Sequence, residues 1–259
     1  MARSDDQGRG DQPPMTDGRT RELAERLAAV QLHLAAAVTA AGRAPGDVEL
    51  LVVTKFFPAD DVRRLIGLGA RSFGESREPE AGHKVAELVA DGTVAGCGAV
   101  FDMIGTVQTK KAKSVATWAR TVHSVDRNKL VDALSRAART ALDAGERSRP
   151  LGVLLQVSLD GDPHRGGVPV DELDALADHT MAADGLELRG LMVIAPVDGD
   201  PDAWMARAAQ IRERFLTSHP AATTLSAGMS GDLEAAVAHG STCVRVGTAI
   251  MGPRPLISQ

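Results

Sequence analysis

A single (β/α)8 barrel with one extra N-terminal helix is the fold class this sequence predicts. Three observations predict it. Eight short runs of strand character alternate with stretches of helical period. That alternation fills most of the 259 residues, and it means a parallel sheet with right-handed crossovers. No Gly-x-Gly-x-x-Gly follows the first strand, which weakens the runner-up, a doubly wound dinucleotide-binding sheet.

Residues 1–19 are polar and rich in Gly, Asp and Arg. They read as a disordered tail before a barrel domain at 20–259, with Met15 as an alternative start. Leu23, Leu27, Val30, Leu34 and Val38 recur at helical spacing and predict the leading helix over 20–41, which Gly42 ends. Leu50 to Val53 is an unbroken aliphatic run, the pattern of a strand buried on both faces. Pro58 stops it and opens a helix over 59–68. Strands at 71–75, 98–104 and 121–125 alternate with helices at 77–90, 108–119 and 127–144, and Asp126 is placed to cap the last. Strand five spans 151–159 and strand six 187–194, with helices at 170–183 and 202–217.

Asp-Gly-Asp-Pro follows both of those strands, at 160–163 and 198–201. Repeated carboxylates suggest metal ligands. Asp and Gly also make turns and Pro opens helices, so the repeat reads as turn chemistry. Strand seven is expected at 223–226, before a helix at 231–238 capped by Ser230. Strand eight is expected at 243–246, and Gly247-Thr248 opens a last short helix.

Composition narrows the function. The formal net charge of −5 argues against a nucleic-acid partner, which wants a basic face. No apolar stretch approaches the length of a membrane span, and the first residues lack the apolar segment of a signal peptide, so a cytoplasmic protein is expected. Cys97 and Cys243 have no metal-type spacing and read as small core thiols. The seven histidines form no metal-binding pattern. Tyrosine is absent from the sequence, which removes any tyrosine acid or base within it.

In a barrel the residues just past each strand face one mouth, where the chemistry sits. Lys55 lies there, at the end of strand one. Such a lysine either sends its ammonium out to water or sits against apolar neighbours, where it can form a Schiff base. Ser226 to Ser230 supplies hydroxyls and a glycine, and Gly247-Thr248 supplies a helix start. Loops after strands seven and eight often bind phosphate in barrels, although turns and caps alone would use the same residues. Arg245 alternates with Val244 and Val246 on strand eight, so it faces a wet mouth or pairs with an acceptor. In a closed barrel strand eight lies beside strand one. A lysine, an arginine and a phosphate cradle together suit pyridoxal 5'-phosphate.

The chain resembles the pyridoxal phosphate homeostasis family, related to the barrel domain of alanine racemases. The likeness runs from about residue 50 to residue 254. It rests on Leu51-Val52-Val53-Thr54-Lys55, Phe73-Gly74-Glu75-Ser76-Arg77-Glu78-Pro79-Glu80 and Ile104-Gly105-Thr106-Val107-Gln108. Further matches are His123-Ser124-Val125-Asp126 and Gly190-Leu191-Met192. The longest are 225–236, Leu-Ser-Ala-Gly-Met-Ser-Gly-Asp-Leu-Glu-Ala-Ala, and 240–250, Gly-Ser-Thr-Cys-Val-Arg-Val-Gly-Thr-Ala-Ile.

The resemblance implies that Lys55 carries the cofactor as a Schiff base and that Arg245 faces its pyridine nitrogen. It implies that Ser226, Gly247 and Thr248 hold the phosphate, with backbone help near Met229 and Ser230. Ser76 and Met192 complete the expected cofactor-binding set. The chain departs from the family pattern at Ser76 and Lys110, where Asn is usual, and at Asp102, where His is usual.

Two functions follow from the resemblance. One is a carrier that stores pyridoxal phosphate and delivers it to apoenzymes, with little or no catalysis, expected as a monomer. The other is an amino-acid racemase of the alanine racemase barrel type. Such racemases take a second base, a tyrosine, from an added β-domain of the partner subunit; this sequence has no tyrosine and ends soon after the barrel. His123, at the end of strand four, is a poor substitute. A third class, a cofactor-free phosphosugar enzyme, would use Lys55 directly on its substrate.

Overall fold

A computed structural model describes residues 17–162 and 166–254. Eight parallel strands close into a barrel in the order β1 to β8. They are β1 (Glu49–Val53), β2 (Ser72–Glu75), β3 (Val100–Met103), β4 (Thr121–Val125), β5 (Leu151–Val157), β6 (Leu186–Val193), β7 (Thr224–Ser226) and β8 (Cys243–Val246). The helices are α1 (Gly18–Ala40), α2 (Ala59–Gly67), α3 (Glu80–Ala90), α4 (Ala112–Trp118), α5 (Asn128–Asp143), α6 (Leu173–Met181), α7 (Pro201–Ser218), α8 (Leu233–Ala238) and α9 (Thr248–Met251). Most of the tail expected at 1–19 lies outside the described residues, as does Pro163 of the first Asp-Gly-Asp-Pro.

Local chemistry accounts for where elements start. The Asp17 carboxylate accepts from the Thr20 N–H at 2.7 Å, so α1 begins at Gly18, two residues earlier than expected. The third helix was expected from Arg77, but it begins at Glu80. The residue before a proline disfavours helical backbone, and Pro79 sits at the cap. Asp200 caps α7 and Pro201 opens it, so the second Asp-Gly-Asp-Pro is turn and cap.

Two expected caps are not made. The Asp126 carboxylate pairs with Arg127, and α5 has no side-chain cap. Ser230 does not cap α8, which starts at Leu233. The carboxylate of Asp232 accepts from the Met229 N–H, and that contact shapes the turn.

The apolar core lies between the strands and the helices. Val52, Val244 and Val246 pack with Leu23, Leu27, Val62 and Leu65 of α1 and α2. Val122, Leu155, Leu191 and Val193 pack with Leu130, Leu134 and Ala177 on the other side. The alternate residues of each strand turn into the barrel, and there the pattern changes. Glu49, Asp102, His123, Ser226 and Arg245 are polar, and all but Glu49 are buried. Barrels usually fill this space with branched apolar side chains.

The β1–β8 seam carries an external clasp. α1 packs on α2, α8 and α9 around it. Arg19 donates to Asp61 of α2 at 2.7 Å and to the Met251 carbonyl of α9 at 3.0 Å.

Phe73 of β2 is fully buried and stacks on Phe101 of β3 with ring centroids 5.4 Å apart. Phe73→Ala is expected to lower unfolding free energy by about 3–5 kcal/mol, because the site cannot collapse around the lost ring. Urea unfolding followed by circular dichroism measures this, and a loss under about 1 kcal/mol would contradict the packing.

Candidate cofactor-binding site

β1 and β8 pair with Leu51 opposite Arg245 and Val52 opposite Val246. Lys55 lies two residues past the end of β1, in the turn that follows Val53, on the mouth side of Leu51. A lysine and an arginine therefore bracket one seam from two depths.

Lys55 is exposed; of the two readings its position allowed, this is the one that sends the ammonium toward water. Its Nζ lies 5.6 Å from the Phe56 ring centroid, a ring that Arg77 approaches to 5.6 Å and Arg254 to 3.9 Å. The local backbone explains the exposure. β1 ends at Val53, and the Thr54 hydroxyl donates to Glu75 at 2.7 Å on the outer side. Phe56 then takes the left-handed conformation, φ 71°, which is uncommon for a residue with a Cβ. Lys84 of α3 donates to that same Glu75 at 2.7 Å and to the Thr54 carbonyl at 3.0 Å, anchoring the turn from behind.

Arg245 is 5% exposed. It donates to Ser226 Oγ at 2.7 Å and to the Val193 carbonyl at 2.8 Å. No carboxylate of the described residues is in ion-pair contact with it, and burial pulls its pKa below the usual arginine range. A buried guanidinium with only neutral partners leaves room for one more acceptor from the mouth.

The phosphate cradle expected at the last two loops is open. Met229, Ser230 and Thr248 are exposed, and Gly247 is half-buried between β8 and α9. Gly228 has φ 94°, and a Cβ there would meet the Ala236 Cβ at 2.6 Å. A Cβ at Gly247 would lie 3.3 Å from the Val53 Cβ. Both glycines keep backbone close to β1 and α8, so the loop N–H groups can face a small anion.

Ser226 differs from the other hydroxyls. It is fully buried, and its Oγ contacts Arg245 and His123 Nδ1, the latter at 3.1 Å. Met192, opposite Ser226 in the β6–β7 register, is buried inside the barrel. Ser76 is half-buried and held by Gly105, where a Cβ would fall 2.1 Å from the Ser76 carbonyl oxygen. Ser76, Lys55 and Thr248 make no side-chain hydrogen bond recorded among the described residues, so their expected convergence on one ligand rests on their positions around the mouth.

Sequence reasoning missed what lies beneath. Asp102 is fully buried. Arg120 grips it with Nε on Oδ1 at 2.9 Å and a second nitrogen on Oδ2 at 2.5 Å. Arg120 also donates to Glu49 at 2.8 and 3.1 Å. His123 Nε2 lies 3.3 Å from Asp102 Oδ2. Burial alone would raise the Asp102 pKa, but the hydrogen bonds from Arg120 and His123, with the charge of Arg120, outweigh it and hold the carboxyl below its usual range. The signal was available: a polar residue alternating with apolar ones, the pattern that singled out Arg245, recurs at Asp102 in Val-Phe-Asp-Met and at His123 in Thr-Val-His-Ser-Val.

Neither cysteine forms a disulfide. Cys243 is a buried thiol, pushed up to about 12 by burial, while Cys97 is only partly buried and bonds local carbonyls. Among the described residues no cluster of His, Cys, Asp and Glu could hold a metal ion.

Comparison with known proteins identifies the family of the barrel. The alanine racemase N-terminal domain matches residues 26–255, which defines the class of barrel. The pyridoxal phosphate homeostasis protein of Mycobacterium tuberculosis is 51% identical over 247 residues, covering 93% of this chain and 96% of the relative. Its Escherichia coli counterpart is 35% identical over 236 residues, covering 90% and 97%. The structure of PipY from Synechococcus elongatus PCC7942, solved with PLP bound, superposes with a TM-score of 0.74 at 33% identity, covering 89% of this chain and all of that one. The chain belongs to the pyridoxal phosphate homeostasis protein family.

The lowered Asp102 pKa has a testable sign. Its ionised form contributes stability that is fully present above the unfolded value of about 3.9 and is lost as pH falls through the folded one. Wild type is therefore expected to exceed Asp102→Asn in unfolding free energy at pH 7, with the gap shrinking by pH 3. Urea titrations at both pH values check this; a gap that stays constant contradicts it.

Proposed function

We propose that this chain binds pyridoxal 5'-phosphate at the C-terminal mouth of the barrel and holds it covalently on Lys55. It serves in intracellular homeostasis and delivery of that cofactor, with little or no catalysis of its own. The observation that carries the reading is Arg245: a buried guanidinium on β8, next to β1, whose following turn carries Lys55, with only neutral partners.

The residues present fit the group. Lys55 supplies a primary amine at the rim. Ser230, Gly247 and Thr248, with backbone near Met229, supply hydroxyls and N–H groups for a phosphate. Ser76 and Met192 flank the space from β2 and β6. When bound, the cofactor contributes an aldehyde that bonds to amines and a ring that can withdraw electrons. Arg245 can only donate, so it disfavours a proton on the ring nitrogen and weakens that withdrawal. Ser226 is the partner that keeps Arg245 aimed; its hydroxyl is already engaged inside the barrel.

The same residues argue against a racemase. Moving a proton on both faces of Cα needs two positioned groups. Lys55 can serve one face. No tyrosine occurs in the 259 residues, and His123 is 2% exposed and bound to Ser226 and Asp102.

The wider reading is of a monomer in the cytoplasm whose recipients are pyridoxal phosphate-dependent apoenzymes. It is supported by the relatives' names, which give their role as pyridoxal phosphate homeostasis.

Two outcomes are expected. Borohydride treatment of the protein loaded with pyridoxal phosphate, followed by peptide mass mapping, should find the pyridoxyl group on Lys55. A label only on another lysine, or none after reconstitution, would sink the assignment. Thr248→Val should weaken pyridoxal phosphate binding about ten- to a hundredfold, since a hydrogen bond to a charged group contributes roughly 1.5–3 kcal/mol. Pyridoxal without phosphate should bind almost unchanged; equal losses for both would assign Thr248 a structural role instead.

A further inference from the structure

A line of polar side chains crosses the barrel interior from its floor to its mouth. At the floor, Glu49 accepts from Ser72 and from Arg120. Arg120 grips Asp102 with two nitrogens. Asp102 meets His123 Nε2, His123 Nδ1 meets Ser226, and Ser226 meets Arg245. Asp102, His123, Ser226 and Arg245 are each no more than 5% exposed.

The line has a direction. An ionised carboxylate only accepts, so His123 must carry its proton on Nε2 toward Asp102. Arg245 only donates, so it spends a proton on Ser226 Oγ and leaves the Ser226 hydroxyl hydrogen free for His123 Nδ1. In the neutral imidazole, Nδ1 is the acceptor that completes this order. Each orientation is then set by the residue below it, and Asp102 is the origin.

We propose that Asp102, charge-balanced by Arg120, acts through His123 and Ser226 as a positioning residue for Arg245, fixing the guanidinium that meets the cofactor ring. This rests on reading the mouth as a pyridoxal phosphate site. Stability alone is a weak reason for the arrangement. A buried ion pair contributes little over well-packed apolar residues of the same volume, and apolar side chains are what barrels commonly use at this depth. A guanidinium with neutral partners, by contrast, needs its orientation fixed by something other than a counter-ion. The second arm of the fork, on the Val193 carbonyl, is backbone and cannot reorient. Ser226 is the adjustable arm, and its orientation comes from His123.

The test compares wild type, Asp102→Asn, Ser226→Ala and the double variant, with folding checked by circular dichroism. In wild type without cofactor, long-range proton–nitrogen correlation spectra should find His123 as the Nε2–H tautomer. With pyridoxal phosphate, Asp102→Asn should still be labelled on Lys55 by borohydride. Its visible absorption maximum should shift, and its affinity should fall about fivefold, the scale of one hydrogen bond. Ser226→Ala should give the same changes, and the double variant no more than Ser226→Ala alone, because both act through one line.

An Asp102→Asn protein with the band and affinity of wild type, or additive losses in the double variant, overturns the proposal while leaving the Lys55 reading intact. Wild type with no label on Lys55 overturns that reading and the proposal with it. If Asp102→Asn does not fold, Ser226→Ala decides by itself: an unchanged band and affinity overturn the proposal.

Discussion

The ion pair of Asp102 and Arg120 is the constraint on which the barrel interior depends. A carboxylate with no exposed surface is tolerated only when fully paired and hydrogen-bonded. Arg120 supplies the charge, and its Nη1, together with the shared Nη2, reaches Glu49. Once Asp102 is held ionised, His123 has one tautomer open to it, and Ser226 and Arg245 follow in turn. Replacing any member by an apolar side chain would leave a neighbour unsatisfied in a low-dielectric space, so the network stands or falls as a unit.

Outside this line the molecule is a conventional barrel. The outward faces of the strands pack on the helices, chiefly through Val, Leu and Phe, and the helices follow the amphipathic period that such packing requires. Specialisation is confined to the inner face and to the loops past β1, β7 and β8. This division lets the outer core carry stability while the inner face carries charge. Family membership, a half-open mouth and a buried arginine without a counter-ion then point to the same ligand.

Much of this was legible in the sequence, for a physical reason. Strands buried on both faces are short aliphatic runs, and the run at Leu50–Val53 or Leu151–Leu155 has no other reading once helices alternate with it. Lys55 and Arg245 stood out because a charge beside aliphatic residues on a strand demands an explanation. Cap residues were less legible. Asp126 and Ser230 both have the chemistry of an N-cap, but Asp126 found Arg127, and the turn at Met229–Asp232 was closed by a different carboxylate. Which of several nearby groups takes an acceptor is settled by competition among local partners, and composition does not encode it. The left-handed turn beside Lys55 was hidden for a related reason, since Phe56 stands where a glycine would have announced it.

The seam between β1 and β8 joins the first strand of the chain to the last. During synthesis β1 leaves the ribosome early and has no partner on that edge until nearly the whole chain has followed. Pairings of such large sequence separation are formed late and slowly. α1 is clasped to α2 and to the Met251 carbonyl across this same gap, so it too reaches its full set of contacts only at the end. A ligand joined to Lys55 just past one strand and to Arg245 on the other would therefore act as a latch on the closing joint. Loading the cofactor and completing the fold would be thermodynamically linked events, each favouring the other.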